Sequence, residues 1–181
     1  MLGEVNNDIL LMKSNRYGDM EWQQSFGGSQ MDIASHIERA SDGGFIISAT
    51  TESYGQGGKD IWLFKTSSSG LIEWNKYIGT PYDDYSGQVL ETDDGGFILI
   101  GSRGSSDQND NDIWLIKTNS QGDSSWTRSY GGNQFDRGND ILADDQGGFI
   151  LLGSTESQGN GGKDIWLLKV DEDGNDQWDN T

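Results

Sequence analysis

The chain holds no cysteine, one proline and one histidine among 181 residues. Without cysteine, disulfides and thiol catalysis are excluded, while the redox compartment stays open because many secreted proteins also lack the residue. A lone histidine, His36, excludes the common His-rich zinc sites and makes a Ser-His-Asp triad a poor fit. Basic residues are scarce too, 12 against 30 acids, for a formal net charge of −18. Nucleic acid is therefore not an expected partner, since binding it depends on neutralising phosphates with Lys and Arg. Docking on an anionic membrane surface is disfavoured for the same reason. No segment approaches the roughly 20 apolar residues of a membrane span, so membrane insertion is not expected. The first thirty residues carry Glu4, Asp8 and Asp19 and no apolar h-region, so no signal peptide is expected there.

Glycine and aspartate are abundant instead. There are 27 glycines, and Asp outnumbers Glu by 22 to 8. Many aspartates stand beside Gly or Asn, where a short carboxylate caps its own backbone in a tight turn. Hydrophobic residues make up only 32% of the chain, which implies a turn-rich protein with a modest core. They are placed with strict regularity. Asp8-Ile9-Leu10-Leu11 returns as Asp60-Ile61-Trp62-Leu63, Asp112-Ile113-Trp114-Leu115 and Asp164-Ile165-Trp166-Leu167, each 52 residues after the last. Trp22, Trp74, Trp126 and Trp178 keep the same step, as do the Gly-Gly-Phe triplets ending at Phe45, Phe97 and Phe149. A fixed period of this length means one supersecondary unit copied and stacked on its neighbours.

Within the copy at 86–130, a stretch containing Val89 and Leu90 runs into the turn Asp93-Asp94-Gly95-Gly96. Phe97 to Ser102 and Asp112 to Thr118 are apolar on both faces, separated by a polar loop. A more polar segment carrying Trp126 closes the unit. No stretch has the 3.6-residue period of a helix, so each unit predicts four short antiparallel strands, with tight turns and longer loops alternating. Strands apolar on both sides belong mid-sheet, between two other sheets, and the polar first and fourth strands belong at edges. Four-stranded sheets stacked radially meet all of this, which predicts an all-β β-propeller of about 3.5 blades. The predicted boundaries are a half-blade at 8–26 and blades at 33–78, 85–130 and 137–178.

The wording Gly-Gly-Phe-Ile-Leu-x-Gly-Ser, then Asp-Ile-Trp-Leu-x-Lys, then a turn glycine and Trp resembles the kelch-like blade. It resembles more closely the tandem propeller repeats of secreted prokaryotic proteins. The resemblance covers roughly residues 6 to 178 and implies a fold and an extracellular or cell-surface setting, with no particular ligand. Kelch repeats carry Gly-Gly after the second strand, where this chain has Ala49-Thr50, Gly101-Ser102 and Gly153-Ser154.

Candidate sites follow from the repeat. Antiparallel connectivity puts all the longer loops on one face, and loops on a rigid scaffold are where binding usually resides. Tyr54, Tyr82, Tyr85 and Phe135 lie there, with Asp32, Asp84 and Asp136 in the linkers between units. These seven are the candidate ligand-binding residues, with the aspartates read chiefly as structural. Asp8, Asp60, Asp112 and Asp164 are read chiefly as carboxylates accepting N–H groups from the preceding loop. Asp171, Asp173 and Asn175 offer alternating oxygens to Ca²⁺, but Gly174 stands at position four, not at position six as an EF-hand loop requires. The four tryptophans are read as packing between units, with a sugar platform as the alternative. No cofactor is expected beyond a weak case for calcium.

The expected function is a non-catalytic module binding a protein or carbohydrate through its long-loop face. The alternatives are a glycan enzyme using acidic residues and a metal, and a purely structural repeat. Half-blades at the same phase leave apolar ends, so self-association through the incomplete ring is also expected.

Overall fold

Among the described residues, 7–107 and 110–181 of this computed structural model, all regular structure is β-strand. Strands β1 (Ile9–Ser14) and β2 (Met20–Phe26) pair as a two-stranded sheet. Three four-stranded antiparallel meanders follow. The first holds β3 (Asp32–Arg39), β4 (Phe45–Thr51), β5 (Asp60–Thr66) and β6 (Ile72–Ile78). The second holds β7 (Tyr85–Glu91), β8 (Phe97–Arg103), β9 (Asp112–Thr118) and β10 (Ser124–Tyr130). The third holds β11 (Asp136–Ala143), β12 (Phe149–Thr155), β13 (Asp164–Val170) and β14 (Asp176–Asn180).

The two-faced apolar strands explain how the sheets stack. Successive side chains of a strand point to opposite faces. On β4 and β5, Ile46, Ile61 and Leu63 therefore face the β7–β10 sheet, meeting Val89, Phe97, Leu99, Trp114 and Ile116. The alternate residues Ile47, Ala49, Trp62 and Phe64 face the other way, onto Ile9 and Phe26. One unit on, Ile98, Ile100, Ile113 and Leu115 pack against Ile141, Phe149, Leu151, Trp166 and Leu168. Each middle sheet thus contributes to two cores, and the cores run in chain order. At the end of the series the pattern opens. Ile113 is 0% exposed, whereas Ile165, the same residue one unit later, is 73% exposed because no core among the described residues covers its face.

First strands of neighbouring sheets are also linked directly. Glu91 N–H donates to a Glu38 carboxylate oxygen at 3.0 Å, joining β7 to β3. Ile141 N–H donates to Gln88 Oε1 at 2.7 Å, joining β11 to β7. Each of these first strands shifts register against its neighbour, at Ala34/His36, Ser86/Val89 and Gly138/Asp140, a bulge that sharpens local twist.

The tight turns carry a repeated tryptophan seat. Gly70, Gly122 and Gly174 have φ of +80°, +77° and +75°, a conformation that glycine adopts without steric penalty. Each lies beneath the indole of the preceding sheet. A Cβ placed on Gly70 would stand 2.6 Å from Trp22, on Gly122 2.5 Å from Trp74, and on Gly174 2.9 Å from Trp126. Trp22 and Trp74 also meet Phe45 and Phe97, with ring centroids 6.2 and 5.6 Å apart. Three of the four repeated tryptophans are therefore packing elements between sheets. Substituting Trp74 with Ala is expected to destabilise the fold by about 3 kcal/mol, less than a fully buried aromatic because one side of the ring is solvated. Urea unfolding followed by far-UV circular dichroism measures this, and a change near zero would leave the seat without energetic weight.

Candidate long-loop site

Alternation of turns and loops along antiparallel strands collects the long connections at one end of the stack. The seven residues expected to bind there separate into two groups. Asp32, Asp84 and Asp136 are buried. Asp32 accepts from Gly28 N–H at 2.9 Å and from the Ser53 hydroxyl at 2.8 Å. Asp136 repeats this with Gly132 N–H at 2.9 Å and the Ser157 hydroxyl at 2.6 Å. Asp84 accepts from the Thr80 amide and hydroxyl on one oxygen and from Gly104 N–H, at 2.9 Å, on the other. These carboxylates tie each linker to the loop of the next unit.

The aromatic residues lie nearer the surface. Tyr54 donates its hydroxyl to Gly27 C=O at 2.9 Å and stacks on Tyr77 with centroids 4.9 Å apart, bridging two loops. Tyr82, Tyr85 and Phe135 converge on a shallow hollow of about 50 Å³, with Asp83, Ser105 and Asn111 completing its wall. Two cations flank it. Lys59 Nζ lies 5.3 Å from the Tyr85 ring centroid and pairs with Asp83 at 3.3 Å, and Lys163 Nζ lies 5.3 Å from the Phe135 centroid. Burial works against the Lys59 ammonium, but Tyr85 and Asp83 outweigh it and hold its pKa above the ordinary lysine value. Asn111 supplies the base of the wall and accepts Asp136 N–H at 2.6 Å through its carbonyl. Its role was not apparent in the sequence, because the loop of residues 104–111 departs from the wording of the equivalent loops and gives no repeat signal.

A second carboxylate lies beside each linker aspartate. Asp60 Oδ2 accepts from Gln56 and Gly57 N–H at 3.1 and 3.2 Å, and Asp164 Oδ2 accepts from Asn160 N–H at 3.2 Å, as expected of strand-start aspartates. Their other neighbours are acids. Asp60 and Asp84 approach one another over Gly79, and Asp112 and Asp136 do so over Gly131. Burial raises the Asp84 pKa, with Asp60 adding to the rise, and burial together with Asp110 and Asp136 raises that of Asp112.

At the turn end the shifts reverse. Lys117 bonds Asp94 at 2.8 Å and, with Thr92, brings its pKa down to about 2. Lys65 and Lys169 likewise lower Asp42 and Asp144. The pH response therefore has two limbs. Raised carboxylates weaken the fold at neutral pH, and that loss is recovered as pH falls through their folded-state values toward the unfolded one. Lowered carboxylates stabilise it above the unfolded value, and this is lost as pH falls below 3.8 toward 2. Thermal melts across pH should show a maximum in mildly acidic solution, just above 3.8, with a steep fall on the acid side. A melting temperature rising steadily from pH 4 to 8 would contradict the raised pair.

Asp171, proposed with Asp173 and Asn175 for calcium, caps its own turn. Its Oδ1 accepts the N–H groups of Asp173 and Asn175 at 3.0 and 2.7 Å, and its Oδ2 takes the Asn175 side-chain amide at 3.0 Å. Asn15 and Asn119 occupy the same position in their turns and accept the corresponding N–H groups. Among the described residues no three His, Cys, Asp or Glu side chains are grouped to hold a metal ion.

A wider cleft of about 440 Å³ opens at the opposite, turn end between the last two sheets, between Trp126 and Phe149. It is walled by Glu91, Asp93, Asp144, Glu172 and Asp173, an acidic lining that disfavours anionic ligands. No protein-family model and no curated protein matches this chain.

Proposed function

We propose that the chain is a non-catalytic interaction module of β-propeller type, in the kelch-like manner, that binds a protein or carbohydrate at its long-loop end. The observation carrying this is the convergence of Tyr82, Tyr85 and Phe135, from two different connections, on one hollow rimmed by Asp83 and Asn111. The exposed Tyr82 ring and the half-buried Tyr85 and Phe135 rings, beside carboxylate and amide groups, suit a ligand with apolar faces and hydroxyl or amide edges. The propeller reading is supported by face-to-face stacking of four-stranded meanders and by the hydrogen bonds between successive first strands. Asp32, Asp84 and Asp136 are buried and bound to the backbone, which suits structural caps better than general acids, and Asp83 is the carboxylate that rims the hollow. An extracellular setting belongs to the same reading and rests on the resemblance of the repeat.

Screening the protein against glycan and peptide arrays should give ligands whose affinity falls about five- to tenfold in Tyr82→Ala, the worth of one aromatic contact. Tyr82 is exposed, so this variant leaves the fold intact. Ligands bound equally well by a Tyr82→Ala/Phe135→Ala double variant would place binding elsewhere.

A further inference from the structure

We propose that the open face of the β11–β14 sheet takes the β1–β2 end of a second copy of this chain, with Trp178 seated on the turn at Gly18. The face consists of Ile150, Leu152, Ile165, Leu167 and Trp178. The same positions one unit earlier are Ile98, Ile100, Ile113, Leu115 and Trp126, the surface on which β11–β14 itself packs. What covers such a face is therefore displayed within the molecule. It is the opposite face of another copy of the repeat, together with the glycine turn of that repeat.

The β1–β2 sheet presents the matching half. Residues of the phase of Trp62 and Phe64, which bury against the preceding sheet, are Leu10 and Met12 here, and they are 61% and 58% exposed. Gly18 is the counterpart of Gly70, Gly122 and Gly174, and its φ of +88° gives the same turn. Those three glycines are buried under a tryptophan, while Gly18 is exposed, with nothing described within 4 Å of the position its Cβ would take. Trp178 is in turn the repeated tryptophan classed among the exposed large side chains, at 44%. One unfilled seat and one unseated indole stand at opposite ends of the stack.

Charge selects this pairing over the alternative in which two β11–β14 faces meet. Residues 8–26 carry Lys13 and Arg16 against Asp8, Asp19 and Glu21, for a net charge of −1. Residues 164–181 carry six acids, Asp164, Asp171, Glu172, Asp173, Asp176 and Asp179, against Lys169 alone. Two copies of the acidic hairpin repel far more strongly than the acidic hairpin and the nearly neutral one do. The contact joins unlike surfaces, so it builds a ring or a chain of copies, and two copies joined at both ends bring together eight sheets. Because the whole chain is acidic, salt should strengthen the association.

The test is a complementation experiment read by light scattering after gel filtration. The tail variant is Trp178→Asp, with Ile165→Lys as a second should the first misfold. The head variant is Leu10→Asp/Met12→Asp. All the substituted side chains are exposed, so circular dichroism and melting temperature should match the parent protein at concentrations where it is monomeric. The parent should form dimers or larger species as concentration rises. Each variant alone should run as a monomer, because every possible junction lacks one half. Mixed in equal amounts, they should regain a two-chain species through the single intact junction. The proposal is overturned if the parent is monomeric at all concentrations. It is equally overturned if the head variant associates as the parent does, which identifies like-with-like pairing, or if the mixture stays monomeric.

Discussion

Replacing Ile113 with alanine should cost about 2–5 kcal/mol of folding stability, while the same replacement at Ile165 should change it by no more than about 0.5 kcal/mol. Both residues follow Asp and precede Trp-Leu in the same strand of the repeat. They differ in what stands opposite. Ile113 lies in the core between β7–β10 and β11–β14, where its loss leaves a cavity beside Gly153. The neighbouring backbone is also close, since a Cβ on Gly153 would approach Ile113 Cδ1 to 2.6 Å, so the site has little freedom to change shape before the side chain is removed. Ile165 already faces water, and truncating it removes no buried contact of that kind. Urea unfolding of both variants, at concentrations where the chain is monomeric, gives the comparison directly. Equal losses at the two positions would mean that the last sheet is covered by something other than what the described residues show.

The second large effect is expected at a glycine. Gly79→Ala should destabilise the protein by about 1–3 kcal/mol although its backbone conformation is open to alanine. The new Cβ would stand 1.7 Å from Asp60 Oδ1 and 3.0 Å from Asp84 Oδ2. Neither carboxylate can yield without cost, because Asp60 holds the Gln56 and Gly57 amides and Asp84 holds Thr80 and Gly104. Asp60→Ala alone should destabilise through loss of those amide bonds, by about 1–3 kcal/mol. In the double variant the clash with Asp60 is gone, so the combined loss should fall short of the sum by about 1 kcal/mol or more. Strict additivity would show that the close approach of Asp60 to Gly79 carries no strain in the variant. Gly131→Ala tests the next copy, where Asp112 Oδ1 lies 1.9 Å from the same point.

The strand content was legible because the evidence for it is local and repeated. Phe97-Ile98-Leu99-Ile100 and Ile113-Trp114-Leu115-Ile116 are apolar on both faces, and only a strand between two other sheets buries both. The turn ends were legible for the same reason, since glycine after Asx or Ser at fixed spacing dictates a tight hairpin. The packing role of Trp22, Trp74 and Trp126 was expected from their step, and their seats on Gly70, Gly122 and Gly174 give it a partner. The long-loop hollow was legible only in part. Tyr82, Tyr85 and Phe135 could be assigned to one end of the stack, but their convergence with Asn111 required the fold of a third connection, 104–111, that departs from the repeated wording.

By itself the sequence determined that this chain is a series of antiparallel four-stranded units of one period, because periodic burial needs nothing beyond side-chain alternation and turn chemistry. It also determined that the chain is strongly acidic and turn-rich. Only the tertiary structure decided which of several identical residues are buried and which are open. Ile113 and Ile165 are the same residue in the same motif, and a sheet stacked on one but not on the other separates 0% from 73% exposure. It likewise decided that Asp32, Asp84 and Asp136 lie inside, while Asp94 and Asp144 face lysines at the surface. Burial and electrostatic environment are properties of what lies across a sheet or a loop, and residues far apart in the chain supply that.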